Sequence, residues 1–521
     1  MLKGFLTVGG WTMASRIMGF ARDMLIAAML GAGPVADAFF VANRLPNLFR
    51  RLFGEGAFNA AFVPVFSALL TAEGTATARR FAEEAMAALA FWLLILTIAG
   101  EIFMPQLMSV LAPGFAAIPA KFSLAVELSR ITFPYLLLIC LAALLSGVLN
   151  GLDRFAAAAA APLLYNAFSI AAMLVLTPYM PTAGHALAWG VSTSGVAQLA
   201  LLYWAVKRAG MTLHPPRPHL TPAMRMLLRR MAPGLVGAGV TQLNLAVDVI
   251  IGSLLPPGSV SLLYYADRVN QLPLGVLGTA VGTALLPLLS RQVSAGETGP
   301  ALNTQNRAIE YALILTLPAA LALAVIADPI MQALFGRGAF TAADATRSAQ
   351  ALSAYALGLP AFVLVKVFTP GFFARGDTGT PVKVGMAVLV LNFALNLSLM
   401  GPLKHVGPAL STTLASICNV IALAVLLWRR GFLVPDARLV SRVARMVLAS
   451  GLMAFVLWAT ERGLGRMPPG HGMRFVALGV LVTTGIATYG ALAQLLGLMD
   501  VRDIAGRIGA RLRRRVARQQ G

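Results

Sequence analysis

Charged residues make up only 12% of this 521-residue chain, and acidic ones are the scarcer kind, with 20 Asp and Glu against 41 Lys and Arg. A soluble globular chain carries about 25% charged residues, so the composition leaves no room for a large water-soluble domain. The two cysteines, Cys140 and Cys418, both lie inside apolar runs and read as small buried hydrophobes rather than a disulfide framework or metal site. Five histidines, His185, His214, His219, His405 and His471, are scattered through loop-like or segment-end positions, and no catalytic constellation emerges around them. A G-x-x-x-x-G-K-S/T phosphate loop is also missing, which argues against an ATPase. These absences predict a chain that is not an enzyme and carries no cofactor.

What is present is apolar. The chain is 58% hydrophobic, with a mean hydropathy of +0.78. Apolar stretches of helix length recur almost throughout, without the period-2 alternation of a membrane barrel. The expected class is therefore an all-α integral membrane protein. Pro/Gly-rich and charged breaks separate about fourteen segments of spanning length, starting near residues 5, 36, 82, 123, 156, 184, 224, 259, 303, 345, 382, 404, 441 and 474. Arg16, Arg22 and Asp23 follow the first apolar run before any cleavage site, so it reads as a retained transmembrane helix, not a signal peptide.

The net charge of +21 does not predict nucleic-acid binding, because the basic residues sit in alternate short loops and in the tail. Placing Arg79/Arg80, Arg154, Lys207 to Arg230, Arg291/Arg307, Arg375/Lys383, Arg429 to Arg445 and the tail on one side puts both termini in the cytoplasm. The opposite loops near Gly31, Pro178 and Pro256 carry no Lys or Arg; the stretch from Arg462 to Arg474 runs against this pattern. Val501, Ile504, Ile508 and Leu512 recur at helical spacing among arginines, which predicts an amphipathic tail on anionic phospholipids.

The two halves resemble each other at a nearly constant interval. Asp23 in A-R-D-M-L-I pairs with Asp248 in A-V-D-V-I-I, and Gly33 pairs with Gly258 at the same spacing. Pro105 with Pro329, and Gly147/Asp153 with Gly371/Asp377, match at one residue less. Six segments per copy is an even number, so the copies share one orientation and a cavity is expected between them. The expected organisation is an N-terminal lobe over 1–220, a C-terminal lobe over 221–435, an appended helix pair over 436–500 and a basic tail over 501–521.

Arginine occurs where a spanning chain tolerates it least: Arg16 and Arg22 in the first segment, Arg50 and Arg51 in the second, Arg268 in the eighth. Four at the bilayer centre, without water or counter-charge, would cost on the order of 10 kcal/mol. They predict a wet cationic cavity whose natural occupant is an anion, and in a chain this hydrophobic a lipid-linked one, since the guanidinium fork matches phosphate and stays charged. Thr12, Arg16, Gly19 and Asp23 fall on one stripe of the first helix, and Asp37, Arg44, Arg51 and Glu55 within a sector of the second if it is straight; Pro46 predicts a kink, with which Arg50 either points elsewhere or is brought in. The competing reading is a set of intramembrane ion pairs such as Arg51 with Glu55. Asp267 and Lys366 are secondary candidates.

Four stretches carry a family resemblance: S-R-I-M-G-F-A-R-D (Ser15 to Asp23), G-A-G-P-V-A-D-A-F-F-V-A (Gly31 to Ala42), L-P-N-L-F-R-R-L-F-G-E-G-A-F (Leu45 to Phe58) and Y-Y-A-D-R (Tyr264 to Arg268). Together they resemble the MurJ/MviN family of bacterial lipid II flippases, in the MOP exporter superfamily. The resemblance covers the whole chain. It implies fourteen helices in two lobes, an alternately exposed cationic cavity in a monomer of the cytoplasmic membrane, and lipid II as cargo for peptidoglycan synthesis. Its cavity positions map to Arg16, Arg22, Asp37, Arg50, Glu55 and Arg268. It also implies coupling to the membrane potential, Na+ or H+, with Asp248 and Asp377 as candidate ion ligands, and makes cell-wall synthesis or division proteins candidate partners. A drug or ion antiporter on the same superfamily fold and a non-transporting scaffold are the alternatives.

Overall fold

The computed structural model describes residues 2–51, 57–214, 216–217, 221–464 and 471–498, and among them every regular element is helical. The chain forms two compact units. One comprises Met1–Ser261 with Arg337–Thr341, the other Leu262–Gly336 with Ala342–Gly521.

The first unit contains α1 (Leu2–Leu30), α2 (Pro34–Phe49), α3 (Ala57–Ala72), α4 (Gly74–Ile102), α5 (Met104–Leu111), α6 (Pro119–Thr132), α7 (Tyr135–Gly151), α8 (Phe155–Leu176), α9 (Ala183–Arg208) and α10 (Pro222–Leu254). Prolines open several of these helices, because the first turn has no partner for an N–H in any case. At α10 the start is fixed twice: Pro222 occupies the first turn, and the Thr221 hydroxyl accepts from Met224 N at 3.3 Å. A pair of turn residues at Phe133 and Pro134 breaks one membrane-length stretch into α6 and α7, where proline cannot donate to the ladder. Phe58, Phe62 and Phe66, one turn apart on α3, stack at 5.2 and 5.6 Å, and Phe62 meets Phe81 of α4 at 5.3 Å. Close packing of α7 on this column needs a bare backbone, since a Cβ on Gly151 would stand 2.6 Å from Phe66 Cδ1.

The second unit contains α11 (Ser259–Ser294, whose first three residues belong to the first unit), α12 (Thr298–Val325), α13 (Ala327–Leu334), α14 (Ala342–Leu357), α15 (Leu359–Phe373), α16 (Gly379–Leu403), α17 (Val406–Arg429), α18 (Ala437–Leu464) and α19 (His471–Leu495). Its core gathers Leu313, Val367, Phe372, Leu427 and Met446 from α12, α15, α17 and α18. Beside it lies an ion cluster around the buried Glu310. Glu310 of α12 receives Arg307 from its own helix, Arg442 at 3.2 Å and Arg438 at 3.6 Å from α18, while Arg307 also reaches Asp436.

Both units run through a long helix, an eight-residue helix and a broken pair: α4, α5, α6 and α7, then α12, α13, α14 and α15. The loops after the two short helices meet similar surfaces. A Cβ on Gly114 would lie 2.1 Å from Ser253 O, and one on Gly338 would lie 2.2 Å from Ala28 O, at the ends of α10 and α1. Gly338 has φ +60, and the next residue, Ala339, donates its N–H to Ala28 O at 2.7 Å.

Ten helical spans among the described residues are long and apolar enough to cross a membrane, so the chain is a multi-pass membrane protein. The other expected segments, starting near residues 5, 36, 224 and 259, fall on α1, α2, α10 and α11.

Candidate anion-binding site

The two arginines of α1 have opposite fates. Arg22 is buried, and its Nε and Nη2 donate to Asp23 Oδ1 at 3.0 and 2.6 Å. Its Nη1 donates to Asn166 Oδ1 of α8 at 3.0 Å, and its guanidinium lies 5.0 Å from the centroid of the Tyr165 ring. Asn166 in turn donates to Ser15 O at 3.0 Å, tying α8 back to α1. Charge, amide and ring thus satisfy Arg22 inside the apolar bundle.

Arg16 is exposed and has no hydrogen-bond or ion-pair partner among the described residues. It lines a cavity of about 470 Å³ between α1, α7 and α8, together with Thr12, Ser15, Ser146, Asn150 and Phe155. Three hydroxyls and one amide share the wall with Arg16; Val8, Phe155, Ala158, Ala159 and Pro162 complete it, and no carboxylate lines it. Such a pocket stabilises a phosphate oxygen through a charge-assisted hydrogen bond and leaves neutral donors for its remaining lone pairs.

A second polar line runs along α2. Asn43 Nδ2 donates to Tyr165 Oη at 3.2 Å, Asn47 Nδ2 to Asn43 O at 2.7 Å, and Arg50 Nε to Asn47 Oδ1 at 3.1 Å. Tyr165 therefore joins Arg22 to the ladder that positions Arg50. Pro46 sits inside α2, and the helix continues past Phe49 in a widened turn at residues 50–51. There Arg50 is half-buried and Arg51 exposed, so the turn separates the two neighbours. Glu55 lies outside the described residues.

Asp37 does not line the Arg16 cavity. It is fully buried and accepts from Lys121 Nζ at 2.7 Å, Gly258 N at 2.7 Å, and Ser261 N and Oγ at 2.9 Å each. Lys121 is itself held 4.0 Å from the centroid of the Phe115 ring. One carboxylate thus caps the start of α11 and neutralises a buried lysine.

The remaining candidates are dispersed. Arg268 lies 5.6 Å from the Tyr264 ring centroid, and Asp267 accepts from Gln271 Nε2 at 3.3 Å. Lys366 is exposed on α15. Asp248 is half-buried on α10. Asp377, between α15 and α16, accepts from Thr380 N at 2.9 Å and from Arg430; the Thr380 side-chain and backbone hydrogen bonds, with Arg430, hold its carboxyl well below the usual range. Among the described residues no group of three or more His, Cys, Asp and Glu is placed to hold a metal ion. The sequence reading missed Asn43, Asn47, Tyr165, Asn166, Lys121 and Ser261. The available signal was amide and phenol side chains inside apolar segments, where an unpartnered polar group is costly.

The family model described as "Lipid II flippase MurJ" matches residues 26–466. The chain belongs to this family. A "probable lipid II flippase MurJ" of Rhizobium tropici is 43% identical over 509 residues, covering 96% of this chain and 95% of that protein. Its counterpart in Rhizobium meliloti (strain 1021) is 46% identical over 464 residues, covering 88% and 86%. Among solved structures, one titled "Lipid II flippase MurJ, inward closed conformation" superposes with TM-score 0.79 at 24% identity, covering 96% of this chain and 100% of that one. An inward-facing multidrug resistance MATE transporter of the MOP superfamily superposes with TM-score 0.66 at 14% identity, covering 84% and 98%. At these identities the two structures speak to fold alone. The MurJ family model starts after Arg16 and Arg22, whereas the alignment with the Rhizobium tropici protein extends over nearly the whole chain.

Proposed function

We propose that this chain is a lipid II flippase of the cytoplasmic membrane, moving the undecaprenyl-diphosphate-linked peptidoglycan precursor from the inner to the outer leaflet by alternating access. It is a transporter and makes no covalent change to its cargo. The observation that carries the mechanism is Arg16, without a partner among the described residues and exposed in a cavity that also presents Thr12, Ser15, Ser146 and Asn150. A diphosphate entering that cavity meets a guanidinium that need not first break an ion pair, so the full charge-assisted interaction is available for binding. The sugar-peptide head group occupies the polar space, and the prenyl chain stays in lipid. Arg22, Arg50 and Arg268, with Asp37 and Glu55, are further head-group or cycle residues in this reading; Arg51, Asp267 and Lys366 are secondary.

Fourteen crossings in two lobes, over 1–220 and 221–435, with an appended pair over 436–500 and both termini in the cytoplasm, form the topology of the proposal. The chain acts as a monomer, and its basic tail rests on anionic phospholipids. The membrane potential contributes about 2.3 kcal/mol per charge per 100 mV to outward movement of an anion or return of the cationic carrier; Na+ or H+ at Asp248 or Asp377 is the alternative source.

The test is exposure of lipid II at the outer leaflet of cells depleted of their own flippase and complemented with this chain or its Arg16→Ala variant. Restoration by the chain but not by a membrane-resident Arg16→Ala variant is expected. Failure of the folded chain, or full activity of the variant, would overturn the reading.

A further inference from the structure

A second cavity, of about 590 Å³, lies against α6, α7 and α9, and the Arg16 site shares none of its residues. We propose that it holds a structural zwitterionic aminophospholipid, with the head-group phosphate on Arg130 and the ammonium on Glu127.

The polarity of the groove follows its long axis. Ser123, Glu127 and Arg130 recur at helical spacing on α6, and the same stripe continues into Pro134 and Leu138 as the chain enters α7. On the facing helix Trp189, Ser192 and Thr193 stand before Val196. The charged pair Glu127 and Arg130 lies in the second half of α6, flanked by Val126 and Ile131, and the wall beyond it, formed by Pro134, Leu138 and Val196, is wholly apolar. That gradient matches an amphiphile lying along the helices, head at the charged pair and acyl chain on Leu138 and Val196. A soluble ligand has no use for such a wall, and bare lipid tails have none for the pair.

The two charges are held apart. Glu127 and Arg130 form no ion pair with each other among the described residues, although their three-residue spacing allows one. Arg130 instead donates Nε to Glu101 O at 3.3 Å, which anchors the guanidinium, and its charge is also felt by the Glu101 carboxyl. Glu127 stands 3.2 Å from His185 Nε2 while its side chain keeps 59% of its surface exposed. His185 is fixed in turn by the Thr182 hydroxyl, 2.8 Å from Nδ1. The result is one cation and one anion presented side by side, the complement of a phosphoethanolamine. A phosphatidylglycerol would satisfy Arg130 but offers Glu127 only neutral hydroxyls in place of a cation. A phosphatidylcholine has no N–H to donate to that carboxylate. The ethanolamine head group is therefore preferred over both choline and glycerol head groups.

Trp189 in the groove reports occupancy. The full chain is reconstituted in bilayers in which phosphatidylethanolamine, phosphatidylcholine or phosphatidylglycerol carries brominated acyl chains at equal mole fraction, and the quenching lost in Trp189→Phe isolates the groove. Brominated phosphatidylethanolamine is expected to quench that component about threefold more than brominated phosphatidylcholine, the scale of one exposed ion pair. Glu127→Gln and Arg130→Gln remove the preference, and Trp92, exposed on α4, shows none. Equal quenching by all three lipids, or strongest quenching by phosphatidylglycerol, overturns the proposal. If Trp189→Phe does not fold, native mass spectrometry of the unsubstituted chain and of Glu127→Gln in an equimolar lipid mixture decides the matter. Ethanolamine adducts that weaken in the variant support the site, and adducts without head-group preference refute it.

Discussion

Arginine meets two kinds of surroundings among the described residues, one in each unit. In the second unit Arg307 is half-buried against carboxylates: Glu310 and Asp436 accept from it, and Arg438 and Arg442 share Glu310. The cluster fastens α12 to α18, and each of its arginines already has a carboxylate partner. In the first unit the polar groups around α1 and α8 are mostly neutral. Asp23 answers Arg22, amides and a tyrosine complete the network, and Arg16 is left with a cavity. A guanidinium shared among carboxylates serves as mortar; in the proposed function the one beside the cavity is the grip.

The largest expected effect is therefore functional and lies at Arg16. Arg16→Ala is expected to reduce outer-leaflet lipid II at least about tenfold, as loss of one charge-assisted contact of about 1.5–3 kcal/mol implies, with unchanged protein level. Arg16→Lys keeps the charge but loses the fork, and is expected to retain intermediate activity. The mirror prediction concerns stability. Glu310→Ala takes the shared carboxylate from three arginines, of which Arg307 keeps Asp436, and is expected to cost about 1–3 kcal/mol, read as a lowered melting temperature in detergent. If Glu310→Ala abolishes flipping without loss of stability, the division between mortar and grip fails.

Gly338→Ala places a methyl group against Ala28 O in a left-handed backbone and is expected to destabilise by about 1–3 kcal/mol; Gly299→Ala, with open space around it, serves as the control. The smallest effect is a pH dependence at Asp377. Its carboxyl is held below the usual 3.8, so its stabilisation is fully present above that value and is lost only as pH falls through the depressed one. Asp377→Asn is expected to lower stability at neutral pH and flatten the acid limb of a melting-temperature profile, and an unchanged acid limb would contradict the capping role.

The fold class was legible because hydropathy and loop charge are local properties. The placement of arginines inside apolar segments was equally legible, but not which of them structure alone accounts for: Arg22 is satisfied by Asp23, Asn166 and Tyr165. The partners were not legible. Asp37 looks from sequence like a counter-charge for arginines on its own or neighbouring helices, whereas its partners are Lys121, Gly258 and Ser261, the last of them 224 residues away. A helical wheel likewise favours Arg51, because it assumes a straight α2. The widened turn beyond Pro46 half-buries Arg50 instead and leaves Arg51 exposed. Asn166 was overlooked because one amide in an apolar run carries no periodic signal, yet it decides which α1 arginine is occupied and which stays open.

The central claim is that Arg16 is held open for a diphosphate. The most direct measurement compares the affinity of the purified chain and of its Arg16→Ala variant for undecaprenyl diphosphate and for undecaprenol, which share the prenyl chain and differ in the anion. Preference of the chain for the diphosphate by at least about tenfold, lost in Arg16→Ala while undecaprenol binding is unchanged, is the predicted result. Equal affinity of the two lipids for the chain, or a variant that keeps the full preference, would contradict it.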